Sequence, residues 1–173
     1  MSIRDVLRRE GQTSAQELPD VLELMTVLGN VAGRAVQDAE FKGVWLEAPF
    51  QEYVRKELRR SARIAAELEE HPAAAGGLTD LSLRGIAVEL KSVKKRIRQM
   101  DDYQAYVEQA TSYAVAKGKR VALLCILDCS EKDSAPWLAD AGIAILKSAA
   151  PASVSVVTLV IPGNITRPSQ LSP

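Results

Sequence analysis

The sequence predicts a layered α/β domain, and three features support this fold class. Ser14 and Glu17 have the spacing of a capping box, and apolar residues follow them at helical intervals. Two alternating runs then meet at Arg84-Gly85, which is typical of a β-hairpin. Residues 120–128 (RVALLCILD) form a continuous apolar run, as expected of a strand buried on both faces.

The helices are predicted from periodicity and from the residues that begin or end them. The first helix is expected to end at Gly29-Asn30, and a second short helix spans residues 31–41. A third begins near Pro49, because proline is favoured in the first turn of a helix. The fourth runs from about residue 101, capped by Asp101 or Asp102, to a stop at Gly118.

The sequence predicts some of the strands more clearly than others. Residues 61–70 (SARIAAELEE) fit an extension of the third helix, which alanine and glutamate favour, or a first strand. The hairpin covers residues 78–93, and IAILKSA (143–149) and SVSVVTLVI (153–161) are two further predicted strands. A short helix is expected around Trp137. We therefore divide the chain into three parts: a helical extension (1–47), a main domain (48–162) and a flexible tail (163–173).

Composition narrows the classes of function. The chain has 173 residues and a formal net charge of zero, so contact with nucleic acid would depend on local basic patches. It has no apolar stretch of the roughly 18 to 20 residues that span a membrane. The N-terminus lacks the apolar segment of a signal peptide, and we expect a cytoplasmic protein. Cys125 and Cys129 are expected to be buried small hydrophobic residues.

Two classes of catalytic site are excluded by residue content. His71 is the only histidine, so no histidine pair is available for metal binding or nucleophilic catalysis. The chain also lacks the glycine-rich phosphate-binding loop of the Walker type, which argues against an NTPase.

The predicted hairpin brings acidic residues and a lysine to one face. With Arg84 and Gly85 as the turn, Asp80 lies opposite Glu89, and Lys91 projects from the same face. Opposed carboxylates repel each other, and a divalent cation removes the repulsion. The alternative is a solvated face on which Glu89 and Lys91 pair with their neighbours.

This pattern resembles the PD-(D/E)xK nuclease superfamily. Asp80 matches the motif aspartate, while Glu89 and Lys91 match the acidic residue and the lysine of ExK. Thr79 stands where the superfamily usually has proline, a variation that it accepts. The resemblance covers residues 48–128 and implies a restriction-endonuclease-like core, in which a central mixed sheet is flanked by helices.

A second motif lies on the fourth predicted helix. Gln109-x-x-x-Tyr113 resembles the QxxxY motif of the RecB-like branch of the superfamily. The two side chains project from one helix face, because they are four residues apart. The resemblance implies that they steady the catalytic strand or contact the nucleic-acid backbone. The alternative for both residues is a packed helix face.

The resemblance implies a nuclease that depends on Mg²⁺ or Mn²⁺ and acts on nucleic acid, with DNA favoured over RNA as the substrate. Asp80 and Glu89 would hold the metal, and Lys91 would assist the attacking water. The superfamily often adds an acidic ligand from the first core helix; Glu52 is preferred here over Glu57. The alternative function is a catalytically inactive nuclease-fold protein that binds nucleic acid or serves as an assembly subunit.

Two further surfaces are candidates for contact with partners. The segment after the hairpin is basic and could bind phosphate groups; the alternative is that it only aids solubility. Its basic residues are Lys94, Lys95, Arg96 and Arg98. The N-terminal helices could mediate a homodimer or bind a partner protein.

Overall fold

The computed structural model describes residues 3–9, 13–70, 81–95, 100–132, 142–148 and 153–166. They form a six-stranded mixed sheet with helices on both faces, which confirms the α/β class. The helices are α1 (Ile3–Arg9), α2 (Glu17–Asp38), α3 (Glu47–Arg60) and α4 (Gln104–Ala116), with a 3₁₀ turn (Met100–Tyr103) before α4. The strands are β1 (Leu68–Glu70), β2 (Leu81–Leu83), β3 (Ile86–Val93), β4 (Val121–Asp128), β5 (Ile143–Lys147) and β6 (Ser155–Pro162).

The sheet has the strand order β1-β2-β3-β4-β6-β5. Strands β1, β2 and β3 form an antiparallel meander, β4 is parallel to β3 and to β6, and β5 is antiparallel to β6. A parallel pair requires a crossover connection, and α4 provides the one between β3 and β4. All eight residues of β4 are buried, as its continuous apolar run predicts.

Two apolar layers enclose the sheet. One face packs against α1, α2 and α3, and the other packs against α4. On β4, Leu123 and Cys125 point into the first layer, whereas Leu124 and Ile126 point into the second. Cys125 and Cys129 are buried and free, as expected, and burial raises the pKa of the Cys125 thiol.

The prediction that the first helix ends at Gly29-Asn30 is wrong. Helix α2 continues through both residues to Asp38, and no separate helix spans residues 31–41. Its buried residues lie on either side of the glycine, so packing against the sheet outweighs the roughly 1 kcal/mol cost of glycine in a helix. Ala39, at a φ of 49°, ends the helix in the left-handed region.

The capping box at the start of α2 is confirmed. The Glu17 amide donates to Ser14 Oγ at 3.1 Å, and the Ser14 amide donates to Glu17 Oε2 at 3.1 Å. Burial would raise the pKa of Glu17, but the bonds from Ser14 and the nearby ammonium of Lys119 outweigh it and lower the pKa. The apolar face of α2 is buried against the sheet, and the predicted role of the N-terminal helices in binding a second copy or a partner protein stays a prediction.

The hairpin forms in the predicted register. Leu81 pairs with Val88, and the turn residues Arg84 and Gly85 have φ angles of 48° and 81°. Two positive φ angles in a two-residue loop are the signature of a type I′ turn. Of the ambiguous segment 61–70, only the last three residues form a strand.

Several predictions fall on residues outside the described ranges: the helix around Trp137, the position of Asp80, and most of the predicted tail. The first residues of that tail are packed. Asn164 accepts a hydrogen bond from the Gly43 amide at 3.2 Å and donates its own amide to the Phe41 carbonyl at 2.7 Å. In the part of the chain that the structure describes, no helix is long and apolar enough to cross a membrane.

Candidate active site

The candidate site is centred on a buried ion pair within β3. The Glu89 side chain is only 1% exposed, and its Oε1 lies 2.7 Å from Lys91 Nζ. Both residues project from the β3 face that also carries Ala87, which packs in the layer beneath α4. The described part of β2 pairs with β3 as far as Val88, and Glu89 and Lys91 follow directly on β3.

A second carboxylate reaches the same lysine from α3. Glu47, the first residue of α3, places Oε1 3.3 Å from Lys91 Nζ. Gln51 lies one turn later and donates Nε2 to the same oxygen at 3.5 Å. Two carboxylates from different elements therefore converge on one ammonium group.

This environment determines the protonation of Lys91. Burial would lower the pKa of its ammonium, but the hydrogen bond and charge of Glu89, together with those of Glu47, raise it above its ordinary value. Lys91 is therefore charged at neutral pH. It can donate hydrogen bonds or stabilise negative charge, but it cannot act as a general base there.

Backbone contacts explain why Glu47 lies at this position. Ser92 Oγ donates to the Trp45 carbonyl at 2.7 Å, and the Trp45 amide donates to Cys129 Sγ at 3.5 Å. The chain is thus fixed to β3 and to the end of β4 two residues before Glu47. Sequence analysis missed this residue, because placing the helix start at Pro49 left Glu47 outside the main domain. The sequence did contain one indication of an earlier start. Proline is tolerated throughout the first turn of a helix, where backbone amides lack intrahelical partners, so a helix that contains Pro49 can begin before it.

The donor set is compatible with a hard divalent cation. Magnesium and manganese prefer oxygen ligands and are held by one or two carboxylates, with waters or substrate phosphate completing the shell. Glu47 and Glu89 are two such carboxylates, and both contact the ammonium group of Lys91. Among the described residues, there is no cluster of three or more His, Cys, Asp and Glu side chains that could hold a metal.

The other predicted acidic ligands have different positions. Continuing the observed register by one residue would set Asp80 opposite Glu89, but Asp80 lies outside the described residues and its role stays a prediction. Glu52 instead forms ion pairs with Arg55 and Lys56 on its own helix. Its role as a metal ligand stays a prediction, and Glu47 is the α3 carboxylate that contacts Lys91.

Glu57, the second candidate from α3, is also engaged elsewhere. Its Oε2 lies 2.6 Å from Arg34 Nη2 on α2, and its Oε1 pairs with Arg60. Arg34 also donates Nε to the Tyr53 hydroxyl at 3.4 Å. Through these contacts, Arg34 joins α2 to Glu57 and Tyr53 on α3, which gives Glu57 a structural role.

Gln109 and Tyr113 share one face of α4, as their spacing predicts. Gln109 Nε2 donates to the Tyr113 hydroxyl at 3.5 Å, and the partly buried Tyr113 packs in the same apolar layer as Ala87. Both residues therefore lie on the helix that covers the β3 face carrying Glu89 and Lys91. Their roles in steadying the strand or contacting nucleic acid stay predictions.

The basic residues divide into two groups. Lys94 and Lys95 follow β3 and are exposed, whereas Arg96 and Arg98 lie outside the described residues. The arginines of α3 are paired with carboxylates although they are partly or largely exposed: Arg55 and Arg59 both pair with Glu70. The surface of α3 is therefore largely charge-compensated.

A separate group of contacts around Lys132 lies at the end of β4. Lys132 Nζ lies 3.1 Å from Asp128 Oδ1 and donates to the carbonyls of Asp128 and Ser130 at 2.9 and 2.7 Å. These contacts satisfy carbonyl groups at the strand end, which explains the burial of the lysine without a catalytic role.

Comparison of the chain with models of protein families, with curated proteins and with solved structures gave no match.

Proposed function

We propose that this chain is a metal-dependent nuclease that hydrolyses phosphodiester bonds of nucleic acid, with DNA as the preferred substrate. One observation carries the proposal: a buried Glu89 and a second carboxylate, Glu47, converge on the ammonium of Lys91. Like charges are rarely brought together inside a protein unless a cation compensates them. Lys91 supplies one positive charge, and a divalent ion would complement the pair further.

The order of elements supports the same proposal. Helix α3, the β1-β2-β3 meander, helix α4 and strand β4 follow one another, with β4 parallel to β3. This is the order of the PD-(D/E)xK core that the motifs resemble. Glu89 and Lys91 lie on β3, where ExK is expected, and Gln109 and Tyr113 lie on the following helix.

In the proposed site, Glu89 and Glu47 hold the metal, with Asp80 as a further predicted ligand. The bound ion would polarise the phosphodiester and lower the pKa of a water molecule. Lys91 keeps its proton, so its part is to orient the attacking water and to stabilise the negative charge that develops on the phosphate. Gln51 orients the Glu47 carboxylate through its hydrogen bond.

The test is a cleavage assay on linear duplex DNA, circular duplex DNA, single-stranded DNA and RNA, each with Mg²⁺, Mn²⁺ or EDTA. We expect the parent to cut in the presence of metal and Glu89→Gln and Lys91→Met to lose at least about 100-fold in rate. Lys117→Met is the control, because it is the same substitution at a lysine whose ion pair, with Glu69 at 3.5 Å, involves neither Glu89 nor Glu47. Equal cleavage by all four proteins would refute the assignment.

A second candidate function is a nuclease-fold protein without catalytic activity that binds nucleic acid or a partner protein. The observation in its favour is that Lys91 already forms ion pairs with both carboxylates, which reduces the need for a metal. Calorimetric titration with Mn²⁺ separates the two functions. Binding that disappears in Glu89→Ala supports the nuclease, whereas the lack of such a site in the parent supports the inactive protein.

A further inference from the structure

Exposed apolar side chains lie directly before and within the first turn of α3. Val44 and Leu46 are 54% and 65% exposed, and Ala48 and Pro49 are exposed as well. We call these four residues the apolar ridge. Val115, at 47%, is the only other large hydrophobic residue with comparable exposure in the described part of the chain. Two of the three such residues therefore lie within one short segment.

The backbone under the ridge is fixed at several points. Trp45 lies between Val44 and Leu46, and its side chain points inward. Its ring is 4.9 Å from that of Phe41 and 6.1 Å from that of Tyr53. Its backbone is bonded to Ser92 and Cys129, as described above. Because the indole anchors the segment, the side chains on either side of it are held outward. The ridge is thus preformed, so binding does not have to include the entropic cost of ordering this segment.

The ridge is continuous with the proposed active site. Leu46 immediately precedes Glu47, whose carboxylate contacts Lys91. The Trp45 carbonyl accepts a hydrogen bond from Ser92, the residue after Lys91 on β3. A strand whose phosphate reaches Lys91 would therefore have neighbouring nucleotides close to the ridge. The exposed Lys42, two residues before Val44, adds a positive charge at the far end.

The chemistry of this surface indicates which part of a nucleic acid it suits. An intact duplex presents phosphates and polar base edges, and proteins bind it chiefly with basic groups. Here the arginines of α3 are paired with glutamates, and the ridge beside Glu47 is apolar. The exposed Lys94 and Lys95, which follow β3, could contact the phosphates of the same strand. Unpaired bases expose their flat apolar faces, and aliphatic side chains such as leucine insert between base steps and unstack them.

We propose that the apolar ridge contacts unpaired bases, so that the substrate is a single strand or a locally unpaired region of a duplex. This inference rests on the proposed nuclease function and specifies its substrate class. Val44 and Leu46 would pack against the bases, Lys42 would contact a phosphate, and the scissile phosphate would lie at Lys91.

The test measures binding in EDTA, so that it does not depend on metal or on cleavage. Fluorescence anisotropy would compare a labelled single-stranded DNA, the matching intact duplex and the same duplex with an internal unpaired bubble. We expect Val44→Ser/Leu46→Ser to weaken binding to the single strand and the bubble about fivefold or more, with little effect on the duplex. Val115→Ser is the matched control and should change each affinity less than about twofold.

Each outcome has a defined meaning. Urea denaturation checks that the double variant is folded. If the double variant does not fold, the single variant Leu46→Ser is used in its place. Equal binding of single strands by the parent and by the ridge variants overturns the ridge assignment while leaving the nuclease proposal intact. Equal losses on all three DNAs overturn the preference for unpaired bases. A parent that binds and cuts nothing overturns both proposals. Loss of cleavage in Glu89→Gln with unchanged binding supports the nuclease proposal, and a loss of binding confined to the single strand and the bubble in the ridge variants supports the ridge proposal.

Discussion

Replacing Lys91 with methionine removes an ammonium group and nearly preserves the length of the side chain. Of the two carboxylates that contact it, Glu89 is 1% exposed and Glu47 is 28% exposed. The cost therefore falls mainly on Glu89, which is left with its charge buried. Removing one partner of a buried ion pair costs about 3 to 5 kcal/mol, and the 15% exposure of Lys91 reduces this. We expect a loss of about 2 to 4 kcal/mol in the free energy of unfolding at pH 7.

A second substitution identifies the origin of this loss. Glu89→Gln in the Lys91→Met background removes the buried charge, so we expect the double variant to regain about half of the lost stability or more. The dependence on pH gives a further check. Because the folded pKa of Lys91 lies above its ordinary 10.5, the stability that it contributes is present below that pH. It is lost as the pH rises through the folded value, and the difference between parent and Lys91→Met should close there.

Urea denaturation of the parent, both single variants and the double variant supplies the complete cycle. Mn²⁺ should stabilise Lys91→Met more than the parent, because the dication then replaces a missing charge instead of competing with an ammonium. At a tenfold excess over its dissociation constant, a ligand stabilises the folded state by about 1.4 kcal/mol. A Lys91→Met protein within about 0.5 kcal/mol of the parent, or a double variant no more stable than Lys91→Met, would refute the reasoning.

Three further predictions concern the turn, the helix cap and the QxxxY pair. Gly85→Ala should cost about 1 to 2 kcal/mol in urea denaturation, because a φ of 81° strains any residue with a Cβ, and an unchanged midpoint would contradict the turn geometry. Glu17→Ala should lower the free energy of unfolding by about 1 kcal/mol at pH 7 and by much less at pH 3. The pKa of Glu17 is lowered in the folded protein, so its carboxylate contributes stability that is present above pH 4.5 and is lost on acidification. An equal loss at both pH values would contradict this. Tyr113→Phe removes the hydroxyl group that Gln109 contacts at 3.5 Å and should lower the initial rate of cleavage. Unchanged cleavage would place this hydroxyl outside the reaction.

Local chemistry explains the predictions that succeeded. The register of the hairpin follows from two adjacent residues, Arg84 and Gly85, because a type I′ turn determines which residues pair across the strands. The capping box of α2 depends likewise on two residues three positions apart. The placement of Glu89 and Lys91 on one face needed only this register and the alternation of side chains.

The failures involve residues whose environment is created by distant parts of the chain. Gly29 and Asn30 are typical of a helix end, yet the sheet buries apolar side chains on both sides of them and keeps α2 continuous. Helix propensity gives no information on this packing, because it depends on tertiary contacts. Glu52 is a different case, because its ion pairs with Arg55 and Lys56 lie on its own helix at spacings visible in the sequence, and its role as a metal ligand stays a prediction.

The site itself shows where sequence reasoning stops. Glu89 and Lys91 are two residues apart on one strand, whereas Glu47 reaches them from a position 44 residues away along the chain. It does so because Ser92 and Cys129 bind the backbone of Trp45, and neither contact has a sequence signature. On β3, Glu89 and Lys91 form an ion pair, and the predicted hairpin adds Asp80 as a second carboxylate from the same local segment. Glu47 is a further carboxylate, which contacts Lys91 from another element, and carboxylate oxygens are the ligands that a hard divalent cation prefers.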